Sequence, residues 1–331
     1  MSEGTLAGDL AGRKPRVSVC IATFNQQRYI RDAVMSVLAQ ANPQRFDLEI
    51  LIGDDASSDE TPAILHELAG RHAECLTVIT HQPNVGAARN YQALVARASG
   101  DYIAHLDGDD CWLPGKLAAQ LAYLGTHADC VAVYSNALVV SPEGRPIGLF
   151  TNDDPRPFAA NELLIKGNFL NHSSLLYRAS SAHRLLDLPA PFIDYGIHLG
   201  LARDGLLAQL SPCFVLYRTG TATSMLHTMA DHVGDQYFTA MLEAFPRVDQ
   251  RTRTQASVSY LSRALIAVIA GAPSAGLPGR AKKLQHATRQ GGGRMAIAVA
   301  GQVALLQIEA VRRRVSAVFE ARRLPVVHPR R

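Results

Sequence analysis

The chain has 331 residues, 47% of them hydrophobic and 19% charged, which is the composition of a globular protein long enough for one sizeable α/β domain and an appendage. Its five cysteines (Cys20, Cys75, Cys111, Cys130, Cys213) are scattered with no C-x-x-C pair, which argues against a zinc site and for a reducing compartment, and no segment reaches the ~20 apolar residues of a bilayer-spanning helix. The net charge of +4 hides an asymmetry: residues 247–331 carry 16 Lys/Arg against 3 Asp/Glu, whereas residues 1–246 carry 17 against 26.

Residues 1–15 lack the apolar centre of a signal peptide and are expected to form a disordered tail. Arg16 to Thr23 is a run rich in β-branched residues and predicts a buried strand; Phe24 to Gln27 turns it into a helix from about Tyr29 to Ala39, with Ile30, Val34, Val37 and Leu38 on one face. Leu48 to Gly53 predicts a second strand ending in the acidic run Asp54-Asp55-Ala56-Ser57-Ser58-Asp59, and Ser58 or Asp59 opens a helix with Pro62 in its first turn. A third strand over Leu76 to Thr80 leads through Asn84-Val85-Gly86 to a helix ending near Ser99. A fourth, Tyr102 to Leu106, runs into Asp107-Gly108-Asp109-Asp110, with a helix from Pro114 to about Leu124 beyond it. Four strand-then-helix units in succession predict a mainly parallel sheet with helices on both faces.

After residue 125 the pattern changes. Strands are expected over Cys130 to Val140, Ile147 to Phe150, His172 to Tyr177 and Cys213 to Tyr217, with a helix near Asp194 to Arg203. From about Asp231 the strand signals stop; Val258 to Ala270 and Met295 to Phe319 have helical period, separated by Pro273, Pro278 and the three glycines from Gly291. The expected division is therefore 16–125 and 126–228 as the halves of one domain, and 229–331 as a basic helical region.

The first strand-to-helix turn, Thr23-Phe24-Asn25-Gln26-Gln27, contains no glycine, so it lacks the G-x-G-x-x-G by which a dinucleotide-binding unit admits a pyrophosphate, and the P-loop pattern is missing too. The remaining route to a nucleoside diphosphate is a divalent cation bridging carboxylates and phosphate oxygens. Mutually repelling carboxylates at the end of a buried strand are better explained by such an ion than by the fold. Asp107, Gly108 and Asp109 supply this, two carboxylates on one short turn with the glycine letting the chain bend close to the ion, and Asp110 is a third candidate ligand.

Four segments, Val17 to Asn25, Asp54 to Thr61, Asn84 to Asn90 and Asp107 to Asp110, together resemble the family 2 glycosyltransferases of GT-A fold, in the family's order and spacing across residues 16–124. The resemblance implies an inverting, metal-dependent glycosyltransferase using Mg²⁺ or Mn²⁺. Asp55 would hydrogen-bond the nucleobase of a UDP- or dTDP-sugar, with Ala22, Thr23 and Asn25 lining that pocket. Asn84, Gly86 and Arg89 would border the nucleotide, and Asp107 the ribose or donor sugar; the alternative for Arg89 is a solvated helix face. Asp194 in Ile193-Asp194-Tyr195 resembles the family's general base, although relatives often carry Glu-Asp there; a helix N-cap is its alternative, and Asp187 and Asp204 are fallbacks. Relatives commonly place a histidine two residues after Tyr-Arg, where this chain has Gly220, so His227 is the candidate third metal ligand, or the metal lacks that ligand.

The acceptor implied is a glycan or a lipid-linked intermediate of bacterial cell-surface polysaccharide synthesis, handled in the cytoplasm. The alternative is a non-catalytic relative that binds a nucleotide sugar or glycan. The basic C-terminal region, with Arg312 to Arg314 and then Arg322 and Arg323, suits an interfacial helix on anionic lipid or self-association; no recognition motif for nucleic acid accompanies it.

Overall fold

A computed structural model describes residues 13–151, 156–221, 230–271, 276–319 and 326–328. The chain divides into two units: residues 1–159, 170–236 and 325–330 form one, and residues 160–169 and 237–324 the other. The expected tail lies outside the described residues up to residue 12, as does His227.

In the first unit β1 (Arg16–Thr23), β2 (Asp47–Asp54), β3 (Leu76–Thr80) and β4 (Tyr102–Asp107) are parallel, in the spatial order β3-β2-β1-β4. Val17, Val19, Ile21, Ile50, Ile52 and Leu106 are fully buried on these strands, each contributing ~1.5–3 kcal/mol through the water it sheds. The crossovers are α1 (Ile30–Leu38), α2 (Thr61–Arg71) and α3 (Ala87–Val95); α1 buries Ile30, Ala33, Val34 and Val37, spaced to make one apolar stripe. Because β2 and β4 flank β1 on opposite sides, the chain diverges at the carboxyl end of β1, the place where open α/β sheets form a crevice.

Beyond β4 the sheet becomes mixed. After β5 (Cys111–Trp112) and α4 (Lys116–Thr126) come β6 (Cys130–Val140), β7 (Pro146–Thr151), β8 (Pro157–Phe158) and β9 (Leu176–Arg178). Strand β9 inserts antiparallel between β4 and β6, β7 is antiparallel to β6, and β10 (Leu206–Arg218) is parallel to β6. The mainly parallel expectation therefore describes the first four strands. The strand expected over His172 to Tyr177 is shorter: His172–Ser174 is a 3-10 turn, in which Ser174 Oγ donates to Asn171 O at 2.7 Å and accepts from the Ser135 amide of β6 at 3.1 Å, while Ser173 Oγ donates to Asp107 and Asp110. A further strand, β11 (Val326–His328), pairs parallel with β7 where the sequence carried no strand signal.

The second unit is helical. It contains α5 (Ala160–Lys166) and, after α6 (His183–Leu186) and α7 (Asp194–Leu201) of the first unit, takes up α8 (Ala230–Ala244) from residue 237. Then follow α9 (Gln250–Ile269), α10 (Leu277–Thr288) and α11 (Gly292–Phe319). Asp249 caps α9 by accepting from the Thr252 amide at 2.7 Å, and α9 packs on α5, α10 and α11. The sequence reading missed α10 because Pro278 looked like a break; it stands in the first helical turn, where no amide donor is needed. Among the described residues no helix is long and apolar enough to cross a membrane.

Candidate active site

Two carbonyls at the end of β1 hold both acidic loops. Ala22 O accepts from the Gly108 amide at 3.0 Å and Thr23 O from the Asp55 amide at 3.1 Å. Gly108 presses on the turn after β1 so closely that a Cβ there would lie 2.3 Å from Gln26 Oε1 and 2.9 Å from the Thr23 side chain. That turn is itself fastened to the loop after β2: the Asn25 amide donates to Ser57 Oγ and the Ser58 amide to Asn25 Oδ1, both at 2.8 Å, with Asn25 at φ +52°. Ala22, Thr23, Asn25 and Asp55 thus share one corner of the sheet.

Asp55 is buried and each carboxylate oxygen takes one main-chain amide, Val85 N at 2.7 Å and Gly86 N at 2.9 Å, while Asn84 Nδ2 donates to Asp55 O at 2.7 Å. Asp55 therefore shapes the Asn84–Gly86 loop, whose last residue adopts φ +87° and so favours glycine. Arg89 is exposed on the first turn of α3. Sequence reasoning passed over Asp54, which is 1% exposed and whose carboxylate oxygens have no hydrogen-bond partner among the described residues. An unpaired buried carboxylate is costly, and the signal for it was the doubled aspartate itself.

At the end of β4, Asp107 Oδ1 lies 2.9 Å from His105 Nε2 and Oδ2 lies 3.2 Å from Ser173 Oγ. Packing around the carboxylate opposes its ionisation, but His105 and Ser173 outweigh this and hold Asp107 below the ordinary aspartate value. Asp109 goes the other way: burial, then the neighbouring charge of Asp107, push it up to about 6, against the opposing Thr221 hydroxyl at 3.0 Å from Oδ2. Asp110 is buried and pushed well above its usual value by burial, Asp109 and Asp107, although it accepts from the Arg218 amide at 2.7 Å and the Ser173 hydroxyl at 2.5 Å. Arg218 also donates to the Asp109 carbonyl and lays its guanidinium 4.4 Å from the Tyr29 ring centre.

Asp194 opens α7, its Oδ1 accepting from the Tyr195 amide at 2.8 Å. It joins the other carboxylates around Tyr217: burial raises that phenol's proton affinity, and Asp110, Asp107, Asp194 and Asp109 each add to the rise. Four carboxylates from two segments, the loop after β4 and the start of α7, therefore lie within electrostatic reach of one half-buried hydroxyl on β10. A buried aromatic column lies beneath: His105 and His172 have ring centres 4.0 Å apart, His172 Nδ1 is 3.2 Å from His198 Nε2, and His198 meets the Tyr134 ring edge-on at 4.9 Å. Burial, with His105 nearby, drives His198 down to about 3 and His172 well below the ordinary histidine value, so both rings are neutral. Ser173, Arg218 and Thr221 were not singled out from sequence because each acts through a residue distant in the chain, and His105, two residues before Asp107, reads there as part of the apolar strand run.

The donor set fits a hard divalent cation in one respect: the repulsion that raises Asp109 and Asp110 is what a cation would relieve. Among the described residues no group of three or more His, Cys, Asp or Glu side chains is arranged around an ion. Mg²⁺ is commonly held by one or two carboxylates with waters and substrate phosphates, so Asp109 with a bound diphosphate matches that habit. Asp110, with both oxygens engaged, stands directly behind it.

The fold is that of the GT-A transferases: residues 1–349 of Staphylococcus aureus TarS in complex with UDP-GlcNAc superpose with a TM-score of 0.61, at 16% identity over 88% of this chain and 83% of that one. The family profile described as glycosyl transferase family 2 matches residues 18–186, and the chain belongs to that family. An uncharacterised protein of Mycobacterium tuberculosis is 32% identical over 205 residues, 61% of this chain and 58% of the relative. The putative teichuronic acid biosynthesis glycosyltransferase TuaG of Bacillus subtilis is 35% identical over 137 residues, 41% of this chain and 52% of the relative. The chain spans between half and three fifths of the length of these curated relatives.

Proposed function

We propose that this chain is an inverting glycosyltransferase that moves a sugar from a nucleoside diphosphate to a hydroxyl of a glycan or lipid-linked acceptor in bacterial surface-polysaccharide synthesis, acting in the cytoplasm. The observation that carries the reading is the convergence on Tyr217 of the Asp107–Asp110 loop and Asp194. UDP-GlcNAc in TarS and the teichuronic acid assignment of TuaG support it by analogy.

In this reading residues 16–228 are the catalytic part. Ala22, Thr23 and Asn25 with Asp55 and the Asn84–Gly86 loop receive a uracil or thymine nucleoside, Arg89 borders the phosphates, and Asp107 takes the ribose or sugar hydroxyls. Mg²⁺ or Mn²⁺ at Asp109, when bound, offsets the charge that grows on the departing diphosphate. Thr221 holds the Asp109 carboxylate, Asp110 ties the loop to the Arg218 amide and the Ser173 hydroxyl, and the Arg218 guanidinium fixes the Asp109 carbonyl. Asp194 takes the proton of the acceptor hydroxyl while that oxygen bonds to the anomeric carbon from the face opposite the leaving group, so the configuration inverts in one displacement.

The test is incubation with UDP-, dTDP- and GDP-sugars and Mn²⁺, reading release of nucleoside diphosphate. Release with one donor class supports the reading; saturable binding without release from any donor identifies the chain as a non-catalytic relative.

The same reading makes His105 a positioning residue for Asp107. His105→Phe retains a ring among Tyr91 and His172 but loses the bond to Asp107 Oδ1. A hydrogen bond to a charged group contributes ~1.5–3 kcal/mol, so the donor KM should rise about tenfold or more while kcat changes little. Equal losses in kcat and thermal midpoint would instead mark His105 as packing alone.

A further inference from the structure

Among the described residues of the second unit, large aliphatic side chains stand exposed on one face. Helix α11 turns Met295 and Val299 inward, four residues apart, while Ile297 is 75% and Leu305 62% exposed on the other side, and Ile269 at the end of α9 is 67% exposed. Large aliphatic side chains at this exposure lose free energy to water that burial would return.

The stretch of sequence that carries them is one-sided in charge. Between Asp249 and Glu309 the sequence contains no acidic residue and eight Lys/Arg, among them exposed Arg294 three residues before Ile297 and exposed Lys282 and Lys283 on α10. Exposed Arg294 stands on α11 itself, one turn before Ile297, with no acidic residue in the sequence between Asp249 and Glu309, so the partner that complements the face is anionic. A second copy of this chain in a two-fold contact would set the basic face against itself, at a cost from like charges. A nucleic acid would satisfy the charge but give the exposed aliphatic groups no apolar surface to enter. An anionic lipid surface satisfies both, with headgroups pairing the cations and the acyl boundary receiving the side chains.

We infer that the Ile297–Leu305 face of α11 is a peripheral binding surface for anionic membrane lipid. The inference does not depend on the transfer reaction.

The full chain is tested by co-sedimentation with phosphatidylcholine vesicles prepared with and without phosphatidylglycerol. Binding is expected only where phosphatidylglycerol is present, weakening as salt screens the charge. Arg294→Gln should lower the partition coefficient about fivefold, the equivalent of ~1 kcal/mol per basic residue at the surface. Ile297→Ser and Leu305→Ser should each lower it about tenfold or more, from the loss of an aliphatic side chain in the acyl boundary. All three substitutions lie on exposed positions, so an unchanged circular-dichroism melting curve accompanies the expected result. The inference is overturned by equal binding to both vesicle types, by binding that the three variants leave unchanged, or by a dimer in solution that Ile297→Ser converts to monomer.

Discussion

Asp109→Asn is expected to lower kcat/KM about 10³-fold and to abolish Mn²⁺-dependent nucleotide binding, while making the ion-free protein more stable. The two effects have one origin. Asp107, Asp109 and Asp110 place three carboxylates in four residues, and Asp109 feels burial and then the charge of Asp107. With substrate and cation present, that carboxylate would hold the ion that offsets charge on the departing diphosphate; several kcal/mol of such stabilisation corresponds to the expected loss. Without the cation the same charge is a liability. The folded value of about 6 lies above the ordinary aspartate value of 3.8, so the contribution of this group to stability is fully present below pH ~3.8 and is lost as pH rises through about 6. Replacing it by asparagine removes a penalty of order 1–3 kcal/mol at neutral pH, visible as a higher melting temperature in chelator. A variant that lost activity and also melted lower would show Asp109 to be a structural ligand of its loop, and the metal assignment would fail.

Asp194→Asn should divide the two halves of the reaction. A missing general base costs ~10²–10⁴-fold in kcat, with donor binding and the donor KM near the parent's. Asparagine retains an oxygen for the Tyr195 amide, so the start of α7 survives and loses only the favourable placement of a negative charge at a helix N-terminus, ~0.3–1 kcal/mol. The two fallback bases are less suited. Asp204 is paired with Arg184 at 2.5 Å and held below the ordinary aspartate value, which makes it a weak proton acceptor, and Asp187 is exposed. Single-turnover transfer with the bound donor measures the step directly. Parent-like turnover in Asp194→Asn would return Asp194 to the role of a helix-opening residue and require the base to be sought elsewhere.

What the sequence determined by itself was the first half of the fold and the location of its acidic loops. Buried parallel strands are nearly continuous apolar runs, and Val17 to Ile21, Leu48 to Ile52 and Tyr102 to Leu106 each end at a carboxylate or a turn, so strand order and the loops that carry polar chemistry could be read locally. The same local reading faltered where neighbours decide the outcome. His172 to Ser174 has the composition of a strand but forms a turn in which Ser173 reaches Asp107 and Asp110 and Ser174 reaches Asn171 and the Ser135 amide of β6, and Val326 to His328 becomes a strand only because the edge of β7 is there to pair with.

Only the tertiary structure decided what each aspartate does. Asp54 and Asp55 are adjacent in the chain, yet one is buried without a hydrogen-bond partner among the described residues and the other spends both oxygens on the amides of Val85 and Gly86. Asp107, Asp109 and Asp110 are near neighbours whose proton affinities diverge, because burial raises all three but only the first has His105 and Ser173 to reverse it, while neighbouring carboxylates add to the rise of the other two. Charge, unlike hydrophobic period, acts through space with a strength set by distance and by the water excluded between groups. Sequence order records neither quantity, and the gathering of Asp194 with the β4 loop around Tyr217 is their product.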